Sequence, residues 1–400
     1  MVHIIADIAN AHQGCPKAAF ELAKKSAESG ADSIKFQIYT ADELLTTDHP
    51  RYEHFKDQAF LKEEWDNLLT KSKRLGVKVY ADIFGLEAYE IASSNQVDGY
   101  KIHSSDLNNT KLLEVLADQE RCVFLATGGS TLLEIRYAID KLTKFNKVSE
   151  IILLHGFQSY PTKVEDSRIS RLPKLQELFG DNIMIGYSDH IDADDKFATL
   201  LPLMTIPYGV SYIEKHVTMD RSAKGVDYYS SYEPKELEKF IEDVRLAEQS
   251  IGSNSLGFSD AEKKYRNSVK KSWTATRDIK SNTIIKPNDV AMKRPLNFFA
   301  PPMYEEIVGA KILKDVNKED SITRSMVDSK VLAIIVARND SSRLHGKATK
   351  DINGKPSISH LFERVRIAKE QGIIDTIAFC TTILKSDDQL VNIAKNYPMN

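Results

Sequence analysis

The chain has 400 residues, more than one compact domain usually holds, so two or three domains are expected. Apolar residues make up 42%, charged residues 28%, and the net charge is −3; this argues against general nucleic-acid binding and does not exclude a local basic pocket for a small anion. No apolar stretch is long enough for a bilayer, no basic signal-peptide region opens the chain, and the 3 cysteines are isolated, so a cytoplasmic protein without membrane contact is expected.

Eight β-branched apolar runs occupy the first 220 residues: Ile4–Ile8, Ser33–Tyr39, Val77–Ile83, Tyr100–Ser104, Val123–Thr127, Ile151–His155, Ile183–His190 and Tyr212–Val217. Each reads as a buried strand. Between them, apolar residues recur at helical spacing, first in Ala18–Ser29 and Leu61–Leu75 and last in Glu236–Ile251, which follows Glu233-Pro234. The alternation predicts a (β/α)8 TIM barrel over residues 1–252, with its site at the C-terminal ends of the strands. Thr40–Phe60 is a long connection at that rim, expected to be a lid or substrate wall.

After Gly252 the helical period stops. Residues 253–268 read as a linker. Short β-like runs follow, Ser272–Thr276, Thr283–Ile285, Ala291–Arg294 and Ile307–Ala310, and predict a small β-rich domain over 269–328. From Val331, a buried-type strand, a Gly/Ser/Lys/Arg-rich loop, the helix Ile358–Lys369 and the strand Thr376–Thr381 open a Rossmann-like α/β nucleotide-binding fold. Residues 329–400 read as a truncated fragment of it.

The strand ends carry the chemistry. His190 in GYSDHI and His216 in IEKHV fall on neighbouring strands. Two neutral imidazoles can hold a divalent ion and leave room for water and substrate; two hydrogen-bonded structural histidines are the plainer alternative. Asp7 is a candidate third ligand. Lys35, Lys101 and Lys215 would meet an anion or form a Schiff base if they point inward, or snorkel between helices if they do not. Thr127-Gly128-Gly129-Ser130 could turn backbone N–H groups toward an anion, or could be a tight turn with Ser130 as N-cap. His155 to Pro161 could face a sugar or simply form a turn.

In chain order, IADIANAHQG, IKFQIYTADEL, YKIHSSDLNN, ATGGSTLLEI, LLHGFQSYPT, GYSDHI and IEKHVTMDRSAKGVDYYSSYEP make residues 1–328 resemble the sialic acid synthase (NeuB-like) family. These are phosphoenolpyruvate-dependent enzymes that make nonulosonic acids. The segment from KKSWTATRDIK to about Ile322 resembles the antifreeze-like (SAF) domain that follows the barrel there. The resemblance implies manganese or magnesium on His190 and His216. It implies phosphoenolpyruvate contacts from Lys35, Lys101, Thr127, Ser130 and Ser188, with Asp7 placing water or metal. Gln37, Gln158, Tyr160 and Asp227 would face the aldose, and Arg294 would reach the barrel of a partner chain in a homodimer. VARNDSSRLHGKATKDINGKP resembles the start of a cytidylyltransferase that activates nonulosonic acids, with Arg338, Arg343 and Lys347 toward a nucleotide triphosphate.

The chain also departs from that pattern. Asp7 stands where glutamate is usual, and Ala11 precedes His12 where asparagine is usual. Ala81-Asp82-Ile83-Phe84 replaces Ser-Thr-Pro-Phe, and Gly156-Phe157 follows His155 in place of Cys-Thr. Leu296-Asn297-Phe298-Phe299 replaces a Gly-rich stretch. The drift gathers at sugar-facing positions, so the same condensation on an acceptor other than plain N-acetylmannosamine is expected. Two other readings stay open: a Schiff-base aldolase using Lys101 or Lys215, and a degenerate barrel serving as a dimerising scaffold.

Overall fold

The computed structural model describes residues 1–157, 159, 161–180, 182–253, 255–297, 299–328, 331–340, 344, 346–371 and 373–397. The chain divides into two compact units, Met1–Asn254 and Ser255–Asn400.

The first unit is a closed parallel barrel in which each strand pairs with the next and the last returns to the first. Its strands are β1 (His3–Asp7), β2 (Ser33–Ile38), β3 (Lys78–Ile83), β4 (Gly99–Ile102), β5 (Cys122–Ala126), β6 (Ile151–His155), β7 (Ile183–Asp189) and β8 (Tyr212–His216). Because side chains alternate along a strand, one set packs outward under the helices and the other fills the lumen. Ile34, Phe36, Val123, Leu125 and Ile213 belong to the outer core, where they meet Leu22, Leu68, Leu69 and Phe240 from the helical jacket. The lower lumen is a separate plug of Ile5, Tyr80, Cys122, Phe124, Ile152, Leu154 and Tyr212.

The jacket helices form for local reasons. Pro16–Glu28 opens with proline in its first turn and buries Ala19, Leu22, Ala23 and Ser26, one face at helical spacing. Leu132–Leu142 is started by Thr131 and Glu134, which form a reciprocal capping box. The connection after β2 is more ordered than the sequence suggested, with short helices at Ala41–Leu44 and Tyr52–Gln58.

In the second unit, Ser272–Ala275 pairs antiparallel with Val290–Lys293 over a core of Ile279, Ile285, Ile307, Ile312 and Ile322. Ile307–Ala310, expected to be extended, instead comprises the last residue of a short helix, Tyr304–Ile307, and the turn after it; Glu306 caps that helix by accepting from the Met303 N–H. The expected linker contains the helix Asp260–Val269, started by a Ser259/Glu262 capping box that the sequence displays in plain form. Farther on, Leu332–Val336 lies parallel to Thr376–Cys380, and Ser357–Glu370 covers them through Ile358 and Phe362.

Candidate active site

Above the aromatic plug, the next inward positions are charged. Asp7 lies beside Lys35 and His216 in the strand ladder, and Asp82 lies beside Gln37 and Lys101. Ser188 is level with Glu214. Lys35 Nζ is 2.8 Å from Asp7 Oδ2, 3.0 Å from Glu214 Oε2 and 3.3 Å from Asp82 Oδ2. Lys101 Nζ is 2.8 Å from Glu214 Oε1 and 3.2 Å from Asp82 Oδ2. The Ser188 hydroxyl donates to Glu214 Oε1 at 2.8 Å. All six groups are buried.

A buried ion cluster persists only when its partners outweigh desolvation. Burial alone would lower the Lys35 pKa, but the Asp7, Glu214 and Asp82 carboxylates raise it well above the ordinary lysine value. Burial alone would raise Glu214, yet Lys101 and Lys35 hold its carboxyl well below the usual range. Lys35 is thereby kept charged, and it shares the Asp82 and Glu214 carboxylates with Lys101.

His190 and His216 sit side by side at the upper rim, ring centroids 5.0 Å apart. Burial, followed by the nearby His216, holds the His190 imidazole neutral, well below its ordinary pKa. His216 Nε2 is 3.8 Å from Asp7 Oδ2, so the imidazole pair adjoins the ion cluster. The rim is fixed from behind: Ser230 Oγ donates to the His190 carbonyl at 2.7 Å, and the Tyr232 N–H donates to the His216 carbonyl at 2.9 Å.

Gln37 and Asp227 line one cavity of about 390 Å³ with Asn10, Tyr39, Arg51 and His103. The long connection after β2 supplies part of its wall, including Leu44, His49 and Phe55. Asp227 adopts a left-handed backbone, φ 60°, at the start of a short turn, and burial raises its pKa.

Other candidates fall elsewhere. Lys215 points out of the lumen, ion-paired with Asp189 and 4.1 Å above the Tyr232 ring. Its neighbours in the alternation, Ile213 and Val217, belong to the outer core, so it takes no part in the lysine cluster. Thr127 also has outward parity. Together with Ser130, Gly128, Arg168 and Arg171 it lines a separate cavity of about 300 Å³ at the ends of β5 and β6. The structure does not bring Thr127 and Ser130 to the lysines. Arg294 is exposed just after Val290–Lys293, and Arg338 and Lys347 are exposed in the C-terminal segment. Gln158, Tyr160 and Arg343 lie outside the described residues.

Glu214 stands among the strand-end polar residues of the sequence but was given no role there, and the wall residues Arg51 and His103 were not singled out. For Glu214 the signal was present: if His216 faces inward, a period of two places Glu214 inward as well.

The model of the NeuB family matches residues 22–255. This chain belongs to the NeuB family. SAF domain and cytidylyltransferase models match residues 270–328 and 332–395. The NeuB chain is 31% identical to N,N'-diacetyllegionaminic acid synthase of Legionella pneumophila over 77% of its own length and 90% of that protein. It is 28% identical to pseudaminic acid synthase of Campylobacter jejuni, over 81% and 96%. The crystal structure of N-acetylneuraminic acid synthetase from Leptospira borgpetersenii, in complex with citrate, is similar with a TM-score of 0.61 and 31% identity, covering 67% of this chain and 92% of that one. No helix among the described residues is long and apolar enough to cross a membrane.

Proposed function

We propose that the NeuB barrel condenses phosphoenolpyruvate with the open-chain aldehyde of an N-acylated amino sugar, giving a nonulosonic acid and inorganic phosphate. The observation that carries this reading is the meeting of two buried, carboxylate-paired lysines with an imidazole pair at one barrel mouth, beside a cavity large enough for a sugar.

Lys35 and Lys101 hold the anionic end of phosphoenolpyruvate and keep its third carbon directed at the acceptor. Positioning of this kind can supply a large share of rate enhancement. As the new carbon–carbon bond forms, positive charge develops at carbon two. The carboxylates of Asp7 and Glu214 face that region, and Asp7 is placed to orient the water that adds there. The tetrahedral product then loses phosphate toward the two ammonium groups. Gln37 and Asp227 contact the sugar hydroxyls.

The donor set also fits a divalent ion, manganese or magnesium. A neutral imidazole is a ligand and a protonated one is not, and burial keeps His190 neutral. Among the described residues no group of three His, Cys, Asp or Glu side chains forms a metal cage. His190 and His216 would therefore be the two protein ligands, with water and substrate completing the shell. When bound, the ion would polarise the acceptor aldehyde as a Lewis acid.

A homodimer in which Arg294 reaches the barrel of a partner chain is part of the same reading. So is a nucleotide triphosphate site drawing on Arg338, Arg343 and Lys347. The test is phosphate release from phosphoenolpyruvate across a panel of N-acetylated and deoxy aldoses, with and without chelator. Release with one or more aldoses, lost on chelation, is expected. Absence of release with every aldose and either metal would overturn the proposal.

A further inference from the structure

Asp82 lies between both lysines and reaches them through one oxygen. Its Oδ2 bridges Lys35 and Lys101 at 3.3 and 3.2 Å. Its Oδ1 is buried and has no hydrogen-bond partner among the described residues. A buried carboxylate oxygen left unpartnered is costly, and such an atom marks where a donor belongs.

The charge balance points the same way. Three carboxylates, from Asp7, Asp82 and Glu214, face two ammonium groups, from Lys35 and Lys101. An anion entering between the lysines meets a surplus negative charge as well as an open acceptor. An anion that carries a proton relieves both difficulties. It brings less charge, and its P–OH donates to Oδ1 while its remaining oxygens accept from the lysines.

We infer that Asp82 is a specificity-determining residue that reads the proton on the bound phosphoryl group, admitting a protonated phosphate and disfavouring anions that have none. The inference rests on the reading that Lys35 and Lys101 receive an anion, and it does not require turnover.

The experiment compares binding of inorganic phosphate and of sulfate to the full chain by calorimetry, below the second ionisation of phosphate. Both anions are tetrahedral, and only phosphate then carries a proton. The wild-type chain should bind phosphate at least tenfold more tightly than sulfate. In Asp82→Asn, whose amide can donate, that preference should collapse at least tenfold, with sulfate gaining. Asp82→Thr, a β-branched residue suited to a strand, should also lose the preference, and serves if the asparagine variant does not fold. Equal binding of the two anions by wild type, measurable binding of neither, or an undiminished preference in a folded variant would each overturn the inference. Because binding alone is read, an intact phosphate preference without phosphate release from any aldose would leave Asp82's role standing while removing the synthase reading. Turnover without the preference would do the reverse.

Discussion

Glu214 Oε1 lies 2.8 Å from Lys101 Nζ and links the first half of the barrel to its last strand. The same side chain reaches Lys35 through its other oxygen, so a single carboxylate holds both lysines.

Replacing Glu214 with alanine leaves two buried cations short of partners. Removing one member of a buried ion cluster costs about 3–5 kcal/mol. Glu214→Ala should lower unfolding free energy by that order in urea titrations monitored by circular dichroism. Unchanged stability would mean the cluster is hydrated and its charges screened.

His216→Ala should keep the barrel folded and abolish manganese binding measured by paramagnetic relaxation of water. Losing a Lewis acid worth several kcal/mol should cut turnover by about a thousandfold or more. Tight manganese binding in a folded His216→Ala protein would remove the imidazole pair from the metal site.

A Schiff base needs a neutral amine. Lys35 is held charged by three carboxylates, Lys101 is paired with two, and Lys215 faces away from the lumen. Borohydride added with phosphoenolpyruvate and aldose should therefore leave the intact mass unchanged. A covalent adduct on Lys101 would revive the aldolase reading.

Burial lowers the His12 pKa from 6.5 to about 4. The unfolded chain then binds a proton between these values that the folded chain refuses, so stability is complete above pH 6.5 and declines as pH falls toward 4. The slope from this residue is about 1.4 kcal/mol per pH unit. His12→Gln should flatten the acid limb of a stability–pH curve by that amount, and an identical limb would show that His12 protonates freely in the fold.

Gly156 has φ 145°, and a Cβ there would lie 2.1 Å from the Ser188 carbonyl oxygen. Gly156→Ala should push β7 away at the mouth and destabilise the barrel by about 1–3 kcal/mol. Thermal unfolding will register the loss, and a neutral result would require the loop after β6 to move aside freely.

The barrel was legible because eight strand-like runs alternate with helical ones, and this periodicity is strong wherever both faces of a strand are buried. His190 and His216 were legible because they end adjacent strands. Side-chain direction was harder to read. Lys35, Lys101 and Lys215 look alike in sequence, and only the alternation fixed by the apolar plug separates two inward lysines from an outward one. Thr127 followed the same hidden parity. Asp82 was visible as a departure from the family pattern, but its place between two lysines depends on how β3 aligns with β2 and β4, which no local pattern encodes.

The ladder His216–Asp7–Lys35 crosses the seam where β8 meets β1. Its members come from opposite ends of the barrel sequence, so nothing resembling the mouth exists until the final stave has docked. A ribosome-bound nascent chain holding only the earlier strands would carry the lysines without Glu214 or His216. If the mouth takes up the ion and anion proposed for it, their binding reports closure of the ring, and a folding probe can be as simple as the arrival of those ligands.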